Sequence, residues 1–255
     1  MTLEEKEKIS TQRWFSCPKP NATARLRLFC FPYGGGGSTI YNTWPKGLPT
    51  TVEVQSVQLP GHGQRFSESL ITHMPTLVEM LTQAILPRVD VPYAFFGHSM
   101  GAIICFELAR QLRRSHNSEP AHLFVSGHGA PQIPKTTPLV HDLPDPEFIT
   151  ELKKLGTSKD LLDSAELLAM LLPVIRADYK MIESYTYTEE PPFKCPIMAF
   201  GGERDYGVPR EHLEAWKEQT VTEFRIRMLS GDHFFIHAEE AVLLAMLSTE
   251  LNRYC

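Results

Sequence analysis

The stretch "AFFGHSMGAIICFELARQL" (Ala94–Leu112) decides the fold. An unbroken apolar run ends at Gly97. A serine follows at Ser99, between Gly97 and Gly101, and apolar residues recur at helical spacing from Met100 onward. A strand therefore turns directly into a helix, with a hydroxyl on the hinge. Such a turn holds its serine in strained backbone geometry. The flanking positions must be small, because a side chain there would strike the neighbouring strand or helix. The hinge lifts the hydroxyl above the sheet edge. It also leaves N–H groups at the helix start facing the same way, which suits a developing negative charge.

Outward from this hinge, short apolar runs alternate with helical patterns. Arg25–Phe31, Val52–Val57, Tyr93–Gly97, His122–Gly127 and Pro196–Gly202 read as strands. "FRIRML" (Phe224–Leu229) alternates and reads as an edge strand. The middle runs are apolar on both faces, as strands of a buried parallel sheet are. Helices are expected near Pro75–Arg88, Met100–Arg114, Val208–Gln219 and Ala238–Asn252. The fold class is α/β, with a mostly parallel central sheet flanked by helices. Residues 1–24 read as a mobile or loosely docked tail, and residues 25–255 as one domain.

One segment breaks the alternation. From about 139 to 187 there are only helix signals: Asp145-Pro146-Glu147 as a helix start, Gly156 as a stop, then "SAELLAMLL" (Ser164–Leu172) and "PVIRADYKMIESY" (Pro173–Tyr185) as successive helices. "SAELLAMLL" is too apolar for an exposed helix. An insert this long is not a connection. It follows a strand whose C-terminal end should face the hinge serine, so it is expected to be a helical lid.

Bulk properties exclude other classes. The 255 residues fit one large α/β domain or two small ones. With 25 basic against 30 acidic residues and no basic stripe, nucleic acid is not expected as a partner. No apolar run approaches the roughly 20 residues that span a membrane. The start, "MTLEEKEKIS", is acidic, unlike a secretory leader, so a cytoplasmic protein is expected, and a monomer. The five cysteines are scattered and odd in number, without C-x-x-C spacing. They read as reduced thiols, with no disulfide framework and no metal site.

"GHSMG" (Gly97–Gly101) matches G-x-S-x-G. Chance alone gives that pattern in roughly one chain in ten, so the strand before it and the helix after it carry the weight. A serine hydroxyl needs a base. In α/β-hydrolases the chain order is serine, acid, histidine. His233 in "LSGDHFFIHAEE" lies between the last strand and the last helix, where the fold delivers its histidine; His237 is the alternative. The acid should follow the preceding strand, and "AFGGERDYGVP" offers Glu203 and Asp205. Asp205 is preferred because it lies further into the loop. Asp232 reads as a loop or cap residue, and Asp178, inside the insert, is a weaker candidate. The first strand ends in "FPYGGGGST" (Phe31–Thr39), which lets backbone approach a ligand closely. It has neither the Lys-[ST] of a P-loop nor G-x-G-x-x-G. In a hydrolase this loop supplies one oxyanion N–H, from Tyr33 or Gly34, and Met100 supplies the other.

With these pieces in place, the chain resembles the type II thioesterases, the stand-alone editing hydrolases of nonribosomal peptide synthetases and polyketide synthases. "LFCFPYGGGGSTIYNTW", "VQLPGHGQR", "FFGHSMGAIICFELAR", "HLFVSGHGAPQ" and "GGERDYGVP…LSGDHFFI" carry the likeness, from Leu28 to Ile236. The resemblance implies an α/β-hydrolase fold with a helical lid, and puts the catalytic residues on Ser99, Asp205 and His233. It implies hydrolysis of acyl thioesters on the phosphopantetheine arm of acyl or peptidyl carrier protein domains, with no metal or organic cofactor on the enzyme itself. The chain has no Asp-Ser-Leu-like attachment site, so the carrier belongs to another protein. A medium-chain thioesterase associated with fatty acid synthase and a small-molecule esterase are the rival readings within the fold. His62 in "LPGHGQR" departs from the family, where many relatives carry arginine, and is assigned no role. His98 matches the family and is equally a packing residue of the hinge.

Overall fold

β4 (Tyr93–His98) has no solvent-facing position, and all six of its residues are buried. It therefore sits mid-sheet. The computed structural model describes residues 13–134, 138–157 and 159–255. The seven-stranded sheet adds β1 (Phe15–Ser16), β2 (Leu26–Phe31), β3 (Val52–Val57), β5 (His122–Ser126), β6 (Ile197–Gly202) and β7 (Phe224–Leu229), in the order β1-β3-β2-β4-β5-β6-β7. All pairings are parallel except that of β1 with β3. "FRIRML" is an edge strand because it has a neighbour, β6, on one side only.

Side chains alternate across the sheet, so each strand feeds two cores. Phe29, Phe31 and Phe95 meet α1 (Met74–Ile85) and α2 (Met100–His116) through Leu77, Leu81 and Ile103. Leu28, Cys30, Phe96, Phe124 and Phe200 meet α8 (Glu240–Leu251) through Leu243 and Leu247. Trp44 packs edge-on against Phe96, ring centroids 4.8 Å apart. Both faces of the middle strands are covered by helices, which is why these strands lack the polar alternation of a half-exposed sheet. Among the described residues no helix is long and apolar enough to cross a membrane.

Two expectations change. Residues 1–12 of the expected tail lie outside the described residues, but 13–24 are docked. Phe15 and Ser16 pair with Val57 and Ser56, and the Gln58 N–H donates to the Trp14 carbonyl at 2.8 Å. Trp14 is buried beneath the Arg65 guanidinium, 4.1 Å from the ring centroid. A two-residue strand has too little periodicity to be read from sequence.

The insert between β5 and β6 is helical: α3 (Asp145–Lys154), α4 (Lys159–Asp163) and α5 (Ala165–Glu183). The boundary expected at Pro173 is absent, since α5 runs through it. Proline removes one helical N–H but leaves the flanking turns able to continue. The N-terminal half of α5 is also more open than its composition suggested, with Leu167 and Met170 exposed. The insert has a core of its own, built on Phe148, Leu152, Leu172 and Ile175.

Candidate active site

The turn from β4 into α2 puts Ser99 at φ 54°, ψ −118°, a region that side chains rarely enter. Two contacts compel it. A Cβ on Gly97 would overlap the Gly101 carbonyl, and a Cβ on Gly101 would overlap the Phe31 carbonyl of β2. Helix and strands thus touch backbone to backbone on both sides of the serine. The Ser99 N–H donates to the Ser126 carbonyl at 2.7 Å, fixing the hinge to the end of β5.

Histidine and acid arrive on the loops after β7 and β6. His233 Nε2 lies 2.9 Å from Ser99 Oγ, and His233 Nδ1 lies 2.7 Å from Asp205 Oδ2. The second Asp205 oxygen accepts the Gly207 N–H at 3.1 Å. These two loops can meet because the position between them is Gly202, where a Cβ would overlap the Asp232 carbonyl. His233 and Asp205 are both buried. With Nδ1–H donating to Asp205, Nε2 is left as the acceptor for a serine proton, the tautomer that a serine nucleophile requires.

The loop after β2 closes the other side. Its Gly35 N–H donates to Asp178 Oδ2 at 2.7 Å, and its Gly36 N–H donates to the Tyr33 carbonyl at 2.9 Å. The N–H groups of Tyr33 and Gly34 precede these, and Met100 N–H opens α2 directly after Ser99. A cavity of about 560 Å³ joins the three regions. Tyr33, Ser99, Met100 and His233 line its floor, while Leu155, Leu161 and Ile175 of the insert line its roof. A second cavity, of about 620 Å³, lies between α1 and α2 beside Arg110, Arg114 and Glu190, away from Ser99.

The alternatives take other partners. Glu203 is exposed, its carboxylate 3.5 Å from the Ser230 hydroxyl. Asp232 accepts the Phe234 N–H at 2.9 Å, a turn cap. His237 Nε2 is 2.9 Å from the Tyr33 hydroxyl. Asp178 faces His62, their nearest atoms 2.9 Å apart.

His98 does more than pack at the hinge. Its Nε2 lies 2.9 Å from the His233 carbonyl, so Nε2 donates, and Nδ1 accepts from the Ser126 hydroxyl at 2.8 Å. Burial, with His233 nearby, pushes His98 well below the usual histidine value, which keeps it in that neutral form. It ties the backbone of the His233 loop to β4 and β5. Sequence signals for this existed only in its adjacency to Ser99; its partners are 28 and 135 residues away.

The sequence matches the Thioesterase domain family over residues 26–249. This chain belongs to the thioesterase family. The thioesterase is 46% identical over 241 residues to the gramicidin S biosynthesis protein GrsT of Aneurinibacillus migulanus, with 94% of each chain covered. It is 31% identical over 243 residues to the medium-chain S-acyl fatty acid synthase thioesterase of Homo sapiens, covering 91% of this chain and 89% of that one. Among solved structures, the type II thioesterase BorB from the borrelidin biosynthetic cluster superposes with a TM-score of 0.86 at 35% identity, covering 93% of this chain and 97% of that one. The thioesterase is thus a hydrolase of thioester bonds, with its likeness strongest on the type II side of the family.

Proposed function

We propose that Ser99 is the nucleophile, His233 the base and Asp205 the acid of a hydrolase that clears acyl groups from carrier-bound phosphopantetheine arms. The observation that carries this reading is the unbroken hydrogen-bonded chain Ser99–His233–Asp205 at the floor of an apolar-roofed cavity. Ser99 Oγ attacks the thioester carbonyl while His233 Nε2 takes its proton. Asp205 holds the imidazole in the right tautomer and stabilises the imidazolium. Negative charge on the former carbonyl oxygen is met by the Met100 N–H and by that of Tyr33 or Gly34. Collapse breaks the C–S bond, and His233 returns the proton to the departing thiol. Water then attacks the acyl-serine with the same base, releasing the acid and restoring Ser99. Every step is proton transfer and acyl transfer, for which these side chains suffice without a cofactor.

The substrate is an acyl or peptidyl group on a carrier domain of a separate synthase, and residues 139–187 act as the lid over it. Supporting this, identity to a gramicidin S biosynthesis protein exceeds that to a medium-chain fatty acid synthase thioesterase. A cavity of about 560 Å³ roofed by Leu155, Leu161 and Ile175 suits an arm ending in an apolar acyl group. The test compares one acyl group on a carrier protein, on coenzyme A and as a simple ester. The carrier substrate is expected to give at least about tenfold higher kcat/KM than the ester, a differential-binding effect of about 1.4 kcal/mol. Equal values for all three would favour a small-molecule esterase.

A further inference from the structure

Asp178 is buried on α5, yet it touches the floor of the site. Its Oδ2 accepts the Gly35 N–H at 2.7 Å and lies 2.9 Å from His62 Nε2. His62 is buried too, with Nδ1 2.9 Å from the Pro60 carbonyl. A carbonyl only accepts, so Nδ1 carries a hydrogen. Nε2 faces the Asp178 carboxyl, the geometry of an ion pair when the ring is protonated. Burial pushes His62 down, but the hydrogen bond and charge of Asp178 outweigh it, and the net shift is upward. Arg65, the other charge facing His62, opposes this and is itself engaged by Glu68 at 2.6 Å. A second tie runs alongside: Gln58 donates to the His62 carbonyl at 2.6 Å and accepts from the Ser38 hydroxyl at 2.6 Å.

Gly35 has φ +75°, and a Cβ there would come within 2.6 Å of Ile175 on α5. Glycine makes this loop permissive, so beside its Gly36–Tyr33 turn bond the anchor on the Gly35 N–H helps set the direction of the two N–H groups before it. We propose that Asp178, held by His62, is a positioning residue that anchors the Gly35 N–H and thereby aims the Tyr33 or Gly34 N–H at the oxyanion formed on Ser99. The proposal rests on the serine-nucleophile reading above. Because Asp178 belongs to the insert, seating of α5 and shaping of the oxyanion loop become one event.

The sign of the pH effect follows. A histidine raised above its usual value of about 6.5 holds its pairing fully below that pH and loses it as pH rises through the raised value. Hydrolysis should therefore lose rate as pH rises through the raised His62 value.

The test measures kcat and KM on one acyl-coenzyme A for Asp178→Asn, His62→Gln and His62→Arg, beside Ser99→Ala. Oxyanion stabilisation exists only in the transition state, so kcat should fall about 10- to 100-fold in Asp178→Asn and His62→Gln with KM changed less than about threefold. His62→Arg, which restores a fixed cation, should recover at least about tenfold over His62→Gln and lose the alkaline component of the pH profile. Ser99 labelling by a fluorophosphonate probe reports the nucleophile separately. If Ser99→Ala stays active, the serine reading fails. If Ser99 is essential but the Asp178 and His62 variants keep kcat, or change only KM, the positioning role is wrong. If His62→Gln melts below assay temperature and His62→Arg recovers the fold without recovering kcat, it is wrong as well.

Discussion

At Ser99 a positive φ stores on the order of 1–3 kcal/mol of backbone strain, and the bare backbone contacts of Gly97 and Gly101 hold it there. Ser99→Ala should keep the fold, by circular dichroism, and lose about 10⁴–10⁶ in turnover; a variant retaining a tenth of the rate would remove the serine from its role. Asp205→Asn should cost about 10⁴, whereas Glu203→Gln, on an exposed carboxylate, should cost under about threefold; equal mild losses would send the acid role elsewhere. Gly101→Ala drives a methyl into the Phe31 carbonyl. It should lower the melting temperature and the rate together, because Phe31 leads into the glycine-rich loop that lines the cavity beside Ser99. This scale was legible in the sequence where spacing along the chain encodes chemistry, as for Ser99 in its motif and Asp205 and His233 in their loops. Where partners are far apart in sequence it was not. His62 and Asp178 are separated by 116 residues, and nothing local to "LPGHGQR" says which carboxylate answers its histidine.

Helix α5 has two characters along one axis. Before Pro173 its residues are mostly exposed, and after it Val174, Ile175, Ala177, Asp178 and Met181 are buried. Arg176 reaches the carbonyls of His141 and Leu143, and Glu183 takes the N–H groups of Val140 and His141. Asp178 holds the Gly35 N–H and Met181 joins the core against the sheet, so the second half is bound to the body, and any lid motion belongs to α3, α4 and the first half of α5. Amide exchange should be slow in 174–183, as in α2, and faster in 145–170; uniform slow exchange would make the whole insert rigid. Leu155→Trp, on the cavity roof, should shorten the preferred acyl chain, read as kcat/KM across a chain-length series. Met170→Trp, on an exposed side chain, should leave that series unaltered. An identical response of the two variants would mean that the roof is not where the acyl group lies. The sequence announced the insert through its length and its lack of strands. It did not show the change in α5 at Pro173, because a proline reads as a boundary until packing holds the turns on either side together.

Across the molecule, the two cores explain why a mostly parallel sheet flanked by helices could be anticipated from the sequence. Runs that are apolar on both faces require helices on both sides, and that leaves few architectures. Phe96→Ala, deep in the layer under α8, should destabilise by about 3–5 kcal/mol, measured by urea unfolding at constant m-value. A smaller loss would mean that Trp44 and Phe200 collapse into the gap. What patterning could not supply was the first strand, since two residues carry no period. Yet β1 has an effect out of proportion to its length. β3 is six residues long, and without Phe15 and Ser16 the outward N–H and C=O groups at its Ser56–Val57 end would face solvent as a template for any passing extended chain. Trp14, clamped beneath Arg65, acts as the clasp on that cover. Trp14→Ala should therefore leave hydrolysis intact at low concentration while light scattering shows mass growing with time and concentration. The short strand is, in that sense, a guard against self-templated fibrils.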